Sequence, residues 1–215
     1  MATKEPVDER NLDGYDAPLI EWSRVRDTLN AGFSQAPATE GPDRHTTWLA
    51  TVNPDGTPHV MPLGVMWVDG NLYFTSGVGT RKAKNLARDP RCVITLAIQP
   101  FDLVFEGKAV KVTDDAKLQR IADTYASHGW APTVRDGAFY AEFSAPSAGP
   151  PPWDLYEVQP KTLFAMGTAE PHEISFLRGL TERTYVRILV STSPVGVGSR
   201  GGRPCSSEFA ALSMR

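Results

Sequence analysis

The sequence predicts a mainly β protein, a six- to seven-stranded antiparallel barrel with a few peripheral helices. Three observations carry that reading. Short runs rich in β-branched and aromatic residues recur from Thr46 onward. The turn signals Asn53-Pro54-Asp55-Gly56 and Asp69-Gly70 join successive runs as tight hairpins. Helical period is confined to a few short stretches, which puts the helices outside a β framework.

The first dozen residues are charged and aperiodic, which predicts a loose arm. Leu19, Trp22, Val25 and Leu29 recur at helical spacing, and Gly32 can stop that helix; Ala36–Asp43 reads as a Pro/Gly linker. Thr46–Val52, Thr57–Val68 and Asn71–Thr75 form a strand meander. After the glycine-rich loop Ser76–Gly79, Thr80–Arg88 reads as a short helix with Ala83, Leu86 and Ala87 inward, ended by Asp89-Pro90. Arg91–Ile98 and Asp102–Val112 are two further strands. Thr113 or Asp114 caps a helix with Leu118, Ile121, Ala122 and Tyr125 on one side, closed by His128-Gly129. Ala145–Pro152 is a proline-rich loop, and Asp154–Val158 and Thr162–Met166 supply the last strands.

The chain has 215 residues, enough for one domain with its own core. Its two cysteines, Cys92 and Cys205, form no CxxC or Cys/His cluster, which excludes disulfide scaffolds and zinc ribbons; no metal site is expected. No apolar run approaches the roughly 20 residues of a membrane span. Met1–Arg10 is polar, so a cytoplasmic protein without a signal peptide is expected, with no membrane partner. A net charge of −3 argues against a nucleic-acid binder.

That charge is uneven. Residues 1–170 carry 16 basic and 22 acidic groups, whereas residues 171–215 carry 6 and 3, with no lysine or aspartate. The expected organisation is an arm and helix over 1–43, the barrel over 44–170, and an atypical basic tail over 171–215. Within the tail, Ile174–Leu189 reads as a helix and Ser191–Arg215 as flexible. A readthrough or a change of reading frame is one origin for such a segment.

The chemistry concentrates in Phe74–Arg91. Arg81, Lys82, Lys84, Arg88 and Arg91 face one acid, Asp89, directly after Gly77-Val78-Gly79-Thr80. Glycines let backbone N–H groups approach an anion, and a helix starting at Thr80 aims its free N–H groups at the same point. The Thr80 hydroxyl, the Arg81 fork and the Lys82 ammonium would complete a phosphate cradle. A solvated basic helix face is the competing reading; adjacency to a glycine loop at a strand end favours the anion site. Walker and Rossmann spacings are both absent.

The run of strand, Asp-Gly hairpin and strand, then Phe74-Thr75-Ser76, Gly79-Thr80-Arg81-Lys82-Ala83 and Asp89-Pro90-Arg91, resembles the pyridoxamine 5′-phosphate oxidase-like, FMN-binding split-barrel superfamily. The likeness covers about Thr46 to Met166. It implies that Thr80, Arg81 and Lys82 grip a cofactor phosphate. The strand His59, Val60, Met61, Pro62 and Leu63 and the strand end Phe74, Thr75 and Ser76 would hold the ring and ribityl chain. It also implies a homodimer with the cofactor at the interface. True pyridoxamine phosphate oxidases carry arginine where His59 stands and lysine where Gly64 stands, and end in an Arg/His segment not found here; oxidation of pyridoxamine phosphate itself is not expected. The chain is also similar to the flavin/deazaflavin oxidoreductases of that superfamily, which use FMN or coenzyme F-420, two cofactors that share a ribityl phosphate. The resemblance implies hydride transfer with a small conjugated organic molecule, including antibiotic-pathway intermediates.

Other residues have plainer alternatives. His59 is either a cofactor ligand or a surface strand histidine, and His45 reads as structural or exposed. Trp48, Trp67 and Trp153 have the size to stack on a tricyclic ring, but such residues more often fill a core. No catalytic acid, base or nucleophile stands out, as befits chemistry carried by a cofactor. A non-catalytic flavin or haem carrier on the same barrel is the alternative, with His45 or His59 as the axial ligand.

Overall fold

The computed structural model describes residues 5–11, 17–33, 47–98, 101–144, 148–168 and 174–178. The strands are β1 (Asp8–Asn11), β2 (Thr47–Val52), β3 (Pro58–Leu63), β4 (Met66–Val68), β5 (Asn71–Gly77), β6 (Arg91–Ile98), β7 (Phe101–Lys111), β8 (Thr133–Arg135), β9 (Ala138–Tyr140), β10 (Trp153–Gly167) and β11 (Ile174–Arg178). The helices are α1 (Trp22–Ala31), α2 (Arg81–Arg88) and α3 (Asp115–Ser127). The strands pair antiparallel in the order β1-β11-β10-β7-β6-β2-β3, and β5 and β9 also join β10. This is a β-dominated split barrel with peripheral helices.

The split originates in β10. One edge of this strand pairs with β7 from Tyr156 to Gly167. The other edge pairs with β5 over Trp153–Val158 and then with β11 over Thr162–Met166. The changeover falls at Pro160, which has no N–H to give a ladder and sits at a register shift. Gly107 lies opposite Pro160; a Cβ there would collide with the Gln159 carbonyl and come within 2.8 Å of Pro160 Cα.

Two apolar clusters use the two faces of the β5–β10 pair. Inside the barrel, Leu72, Phe74, Tyr156 and Val158 pack with Leu49, Ile94, Phe105 and Leu163. Helix α1 closes this core with Trp22, Val25 and Leu29, a helical stripe. Trp67 secures α1: its ring meets Trp22 at 6.5 Å, and its Nε1 donates to Asn30 Oδ1 at 2.9 Å. On the other face, Tyr73, Trp153 and Leu155 pack against Leu118, Ile121 and Ala122 of α3 and Phe139 of β9. Asp114 caps α3 by accepting from Lys117 N at 2.7 Å, as expected.

Several expectations need correction. Asp8–Asn11 is a strand rather than loose arm, because β11 offers it a free edge. Ile174–Arg178 is also a strand, not the start of a helix: the exposed edge of β10 overrides a weak helical period. The sheet therefore passes the expected barrel end at 170. Asp154–Val158 and Thr162–Met166 are one continuous strand, and the described residues hold eleven strands where six or seven are expected. The β8–β9 hairpin was unforeseen, although Asp136-Gly137, with φ of 50° and 70°, is the turn pair such hairpins prefer. In α2, Ala87 is exposed, and Lys82 and Asn85 take the buried side with Ala83 and Leu86. The linker, His45 and residues 179–215 lie outside the described residues.

Gly107→Ala is expected to destabilise the protein by roughly 1–3 kcal/mol, because backbone rather than a yielding side chain occupies the space. Denaturant titration checks this; an unchanged midpoint would show that β10 does not depend on the close approach.

Candidate functional site

Strand β5 delivers the loop 77–80 to the start of α2, and the Thr80 hydroxyl closes it. Thr80 Oγ1 donates to Gly77 O at 2.9 Å, accepts from Ala83 N at 3.2 Å and lies 2.8 Å from Ser76 Oγ. Its bonding capacity is used within the loop, so Thr80 shapes the cradle as the helix cap. Ser76 is fully buried beneath it.

Lys82 is buried at the first turn of α2, and that burial pulls its ammonium below the ordinary lysine range. Arg81 is exposed beside it. His59 of β3 feels both cations: burial first, then Arg81 and Lys82, hold its imidazole below the usual value. His59 on β3 and Arg81 and Lys82 at the start of α2, from two distant parts of the sequence, thus lie within electrostatic reach of one another.

Arg81 also borders an open groove of about 680 Å3 between Asn53, Pro54 and Asp55 of the β2–β3 turn and Gly79, Arg81, Lys84 and Asn85. Asp55 accepts from the Thr57 hydroxyl and amide at 2.6 and 3.0 Å, which, with Arg81, keeps its carboxyl below the usual range. Buried Asn85 forms part of the groove and ties α2 to the turn, donating to Thr51 Oγ1 and Asn53 Oδ1, each at 3.1 Å. Sequence reasoning missed Asn85. Its signal was an asparagine, a poor helix former, in the middle of a short helix.

The other expected site residues divide. Val60 and Met61 are exposed on β3, Pro62 is exposed and Leu63 half-buried. Thr75 is half-buried, whereas Phe74 is fully buried and stacks on Tyr156 at 5.1 Å. Phe74 packs in the core, and the Ser76 hydroxyl lies against that of Thr80. Trp67 and Trp153 are structural too, while Trp48 stands exposed. Cys92 is buried, its thiol pushed up to about 12 by burial. Among the described residues, no cluster of His, Cys, Asp and Glu could hold a metal, and no helix is long and apolar enough to cross a membrane.

The structure is a split barrel with basic side chains clustered at a strand-to-helix turn. The chain belongs to the pyridoxamine 5′-phosphate oxidase family, whose model matches residues 37–171. No curated sequence matches it significantly. Among solved structures, PhzG from Burkholderia lata, in complex with tetrahydrophenazine-1-carboxylic acid, is 13% identical with a TM-score of 0.51, covering 78% of this chain and 89% of that one. A pyridoxamine 5′-phosphate oxidase-related, FMN-binding protein from Nostoc punctiforme is 19% identical with a TM-score of 0.48, covering 69% and 87%. A conserved hypothetical protein from Mycobacterium tuberculosis is 20% identical with a TM-score of 0.49, covering 70% and 86%.

The depressed His59 binds its proton less readily folded than unfolded, so its contribution to stability grows with pH and is complete above about 6.5. A bound anion raises its pKa, and binding therefore takes up a proton and tightens as pH falls. Sulfate, whose charge is constant here, should stabilise the apoprotein more at pH 6 than at pH 8 in thermal melts, and His59→Gln should flatten the difference. An equal pH dependence in His59→Gln would remove His59 from the site.

Proposed function

We propose that this chain is a flavin-type oxidoreductase that binds FMN or coenzyme F-420 and transfers hydride to or from a small conjugated organic molecule. The observation that carries this reading is the Thr80-capped loop 77–80, from which α2 starts with exposed Arg81 and buried Lys82, with His59 of β3 in the field of both. That donor set suits a phosphate group: a guanidinium fork, a partly desolvated ammonium and an imidazole that gains a proton when the anion binds. Arg81 and Lys82 hold the phosphate, and Thr80 keeps the loop in shape. The strand His59–Leu63 and the β5 backbone at Phe74–Ser76 flank the ribityl chain and ring. The bound cofactor supplies the hydride chemistry, while the protein positions the substrate and excludes water. Tetrahydrophenazine-1-carboxylic acid, held by PhzG, is the type of conjugated ring acid we favour as substrate, one that suits a biosynthetic intermediate. With His59 and Gly64 where pyridoxamine phosphate oxidases carry arginine and lysine, that substrate is not favoured.

The working unit in this reading is a homodimer. Trp48, Val60 and Met61 are 44%, 50% and 37% exposed on β2 and β3, and β3 is an edge strand among the described residues. A second copy covering this apolar edge would enclose the cofactor between subunits.

Apoprotein titrated with FMN and with F-420 should bind one with a clear preference. Arg81→Ala and Lys82→Ala should each weaken it tenfold or more, the loss of a charge-assisted bond worth ~1.5–3 kcal/mol. Unchanged affinity in both variants would overturn the phosphate site, and a Soret band lost in His59→Gln would replace the flavin reading with a haem one. In sedimentation velocity the wild type should run as a dimer and Trp48→Glu as a monomer; a monomeric wild type removes the dimer.

A further inference from the structure

The cradle is held from behind by a strap, residues 148–152, at the entrance to β10. A Cβ on Gly77 would lie 2.6 Å from Pro150 O and 2.9 Å from Ala148 O. A Cβ on Gly149, whose φ is +72°, would lie 2.9 Å from Thr80 Cγ2. At Gly77 the strap carbonyls leave no space for a methyl group, and at Gly149 a Cβ would press on the Thr80 methyl.

Trp153 sets the position of the strap. Its Nε1 donates to Gly149 O at 2.8 Å, folding the strap back over the loop. Its backbone pairs with Gly77 of β5 and Phe139 of β9. The indole, 2% exposed, packs edge-on against Trp130 at 5.8 Å, and Trp130 packs on Tyr125 and Phe139 at 5.0 and 6.2 Å. Core filling accounts for the burial of this ring. The acceptor that satisfies its buried N–H is the Gly149 carbonyl, so the same bond ties the ring to a strap packed closely on the loop at Gly77 and Gly149.

We infer that Trp153 is a positioning residue for the phosphate cradle. The aromatic block of α3 and β9 fixes the indole, the indole fixes Gly149, and Gly149 bears on the methyl of Thr80. Thr80 is the cap from which Arg81 and Lys82 project, so their placement is set by a residue that need not touch the ligand. This inference rests on the reading of Thr80–Lys82 as the phosphate site.

The test uses the ratio of affinities for FMN and riboflavin, which differ only by the phosphate; general loss of stability largely cancels in that ratio. Where F-420 is the preferred ligand, F-420 and its phosphate-free deazaflavin core replace the pair. Trp153→Phe keeps an aromatic ring and removes the N–H; it should cut the ratio at least fivefold with little change for the phosphate-free ligand. Gly149→Ala acts on the same contact from the strap side and should do likewise. Adding Thr80→Ser to Gly149→Ala removes the opposing Cγ2 and should restore much of the ratio. Arg81→Ala is the control for the site itself. If Arg81→Ala collapses the ratio while Trp153→Phe and Gly149→Ala leave it intact, the positioning role is overturned. If Arg81→Ala also leaves it intact, the phosphate reading falls and this inference with it.

Discussion

Strand β10 must serve two partners along one edge, and the rest of the molecule is arranged around that demand. Its N-terminal half belongs to β5 and its C-terminal half to β11, while β7 follows its whole opposite edge from Tyr156 on. A continuous ladder on both edges is incompatible with this exchange. Pro160 supplies the break without leaving a stranded donor, and Gly107 lets β7 stay close where the strand bends. Because the strand does not end there, the barrel can part on one side without losing its spine.

The loop that opens α2 depends on the same arrangement. The β5–β10 pair has core on both faces: the barrel interior on one, the α3 cluster on the other. A strand held this way delivers the loop 77–80 from a rigid base. The cap at Thr80 then converts an extended strand end into a helix start within four residues. The cost is one desolvated lysine, Lys82, at the buried face of α2.

Much of this was legible in the sequence. The Asn-Pro-Asp-Gly and Asp-Gly turns, the α2 segment and the helix capped by Asp114 all appear where turn chemistry and helical period put them. These features are local, and local chemistry decides them. The basic cluster was legible as charges, but its geometry was not: that Phe74 faces inward follows from pairing with the distant β10, and that Thr80 spends its hydroxyl on Gly77 and Ala83 follows from the conformation of the loop. Ile174–Arg178 is the clearest case. Nothing in its own residues demands a strand, and only the open edge of β10 makes it one.

The pairing of β1 with β11 also bears on how the chain folds. β1 is made before every other described element, and its partner among the described residues, β11, comes more than 160 residues later. The sheet cannot acquire its outermost strand until Arg178 is free to pair. A contact of that sequence separation contributes little to the early folding nucleus and raises the contact order of the whole topology. The terminal strand pair is thus the last part of the sheet to be gained as the chain emerges.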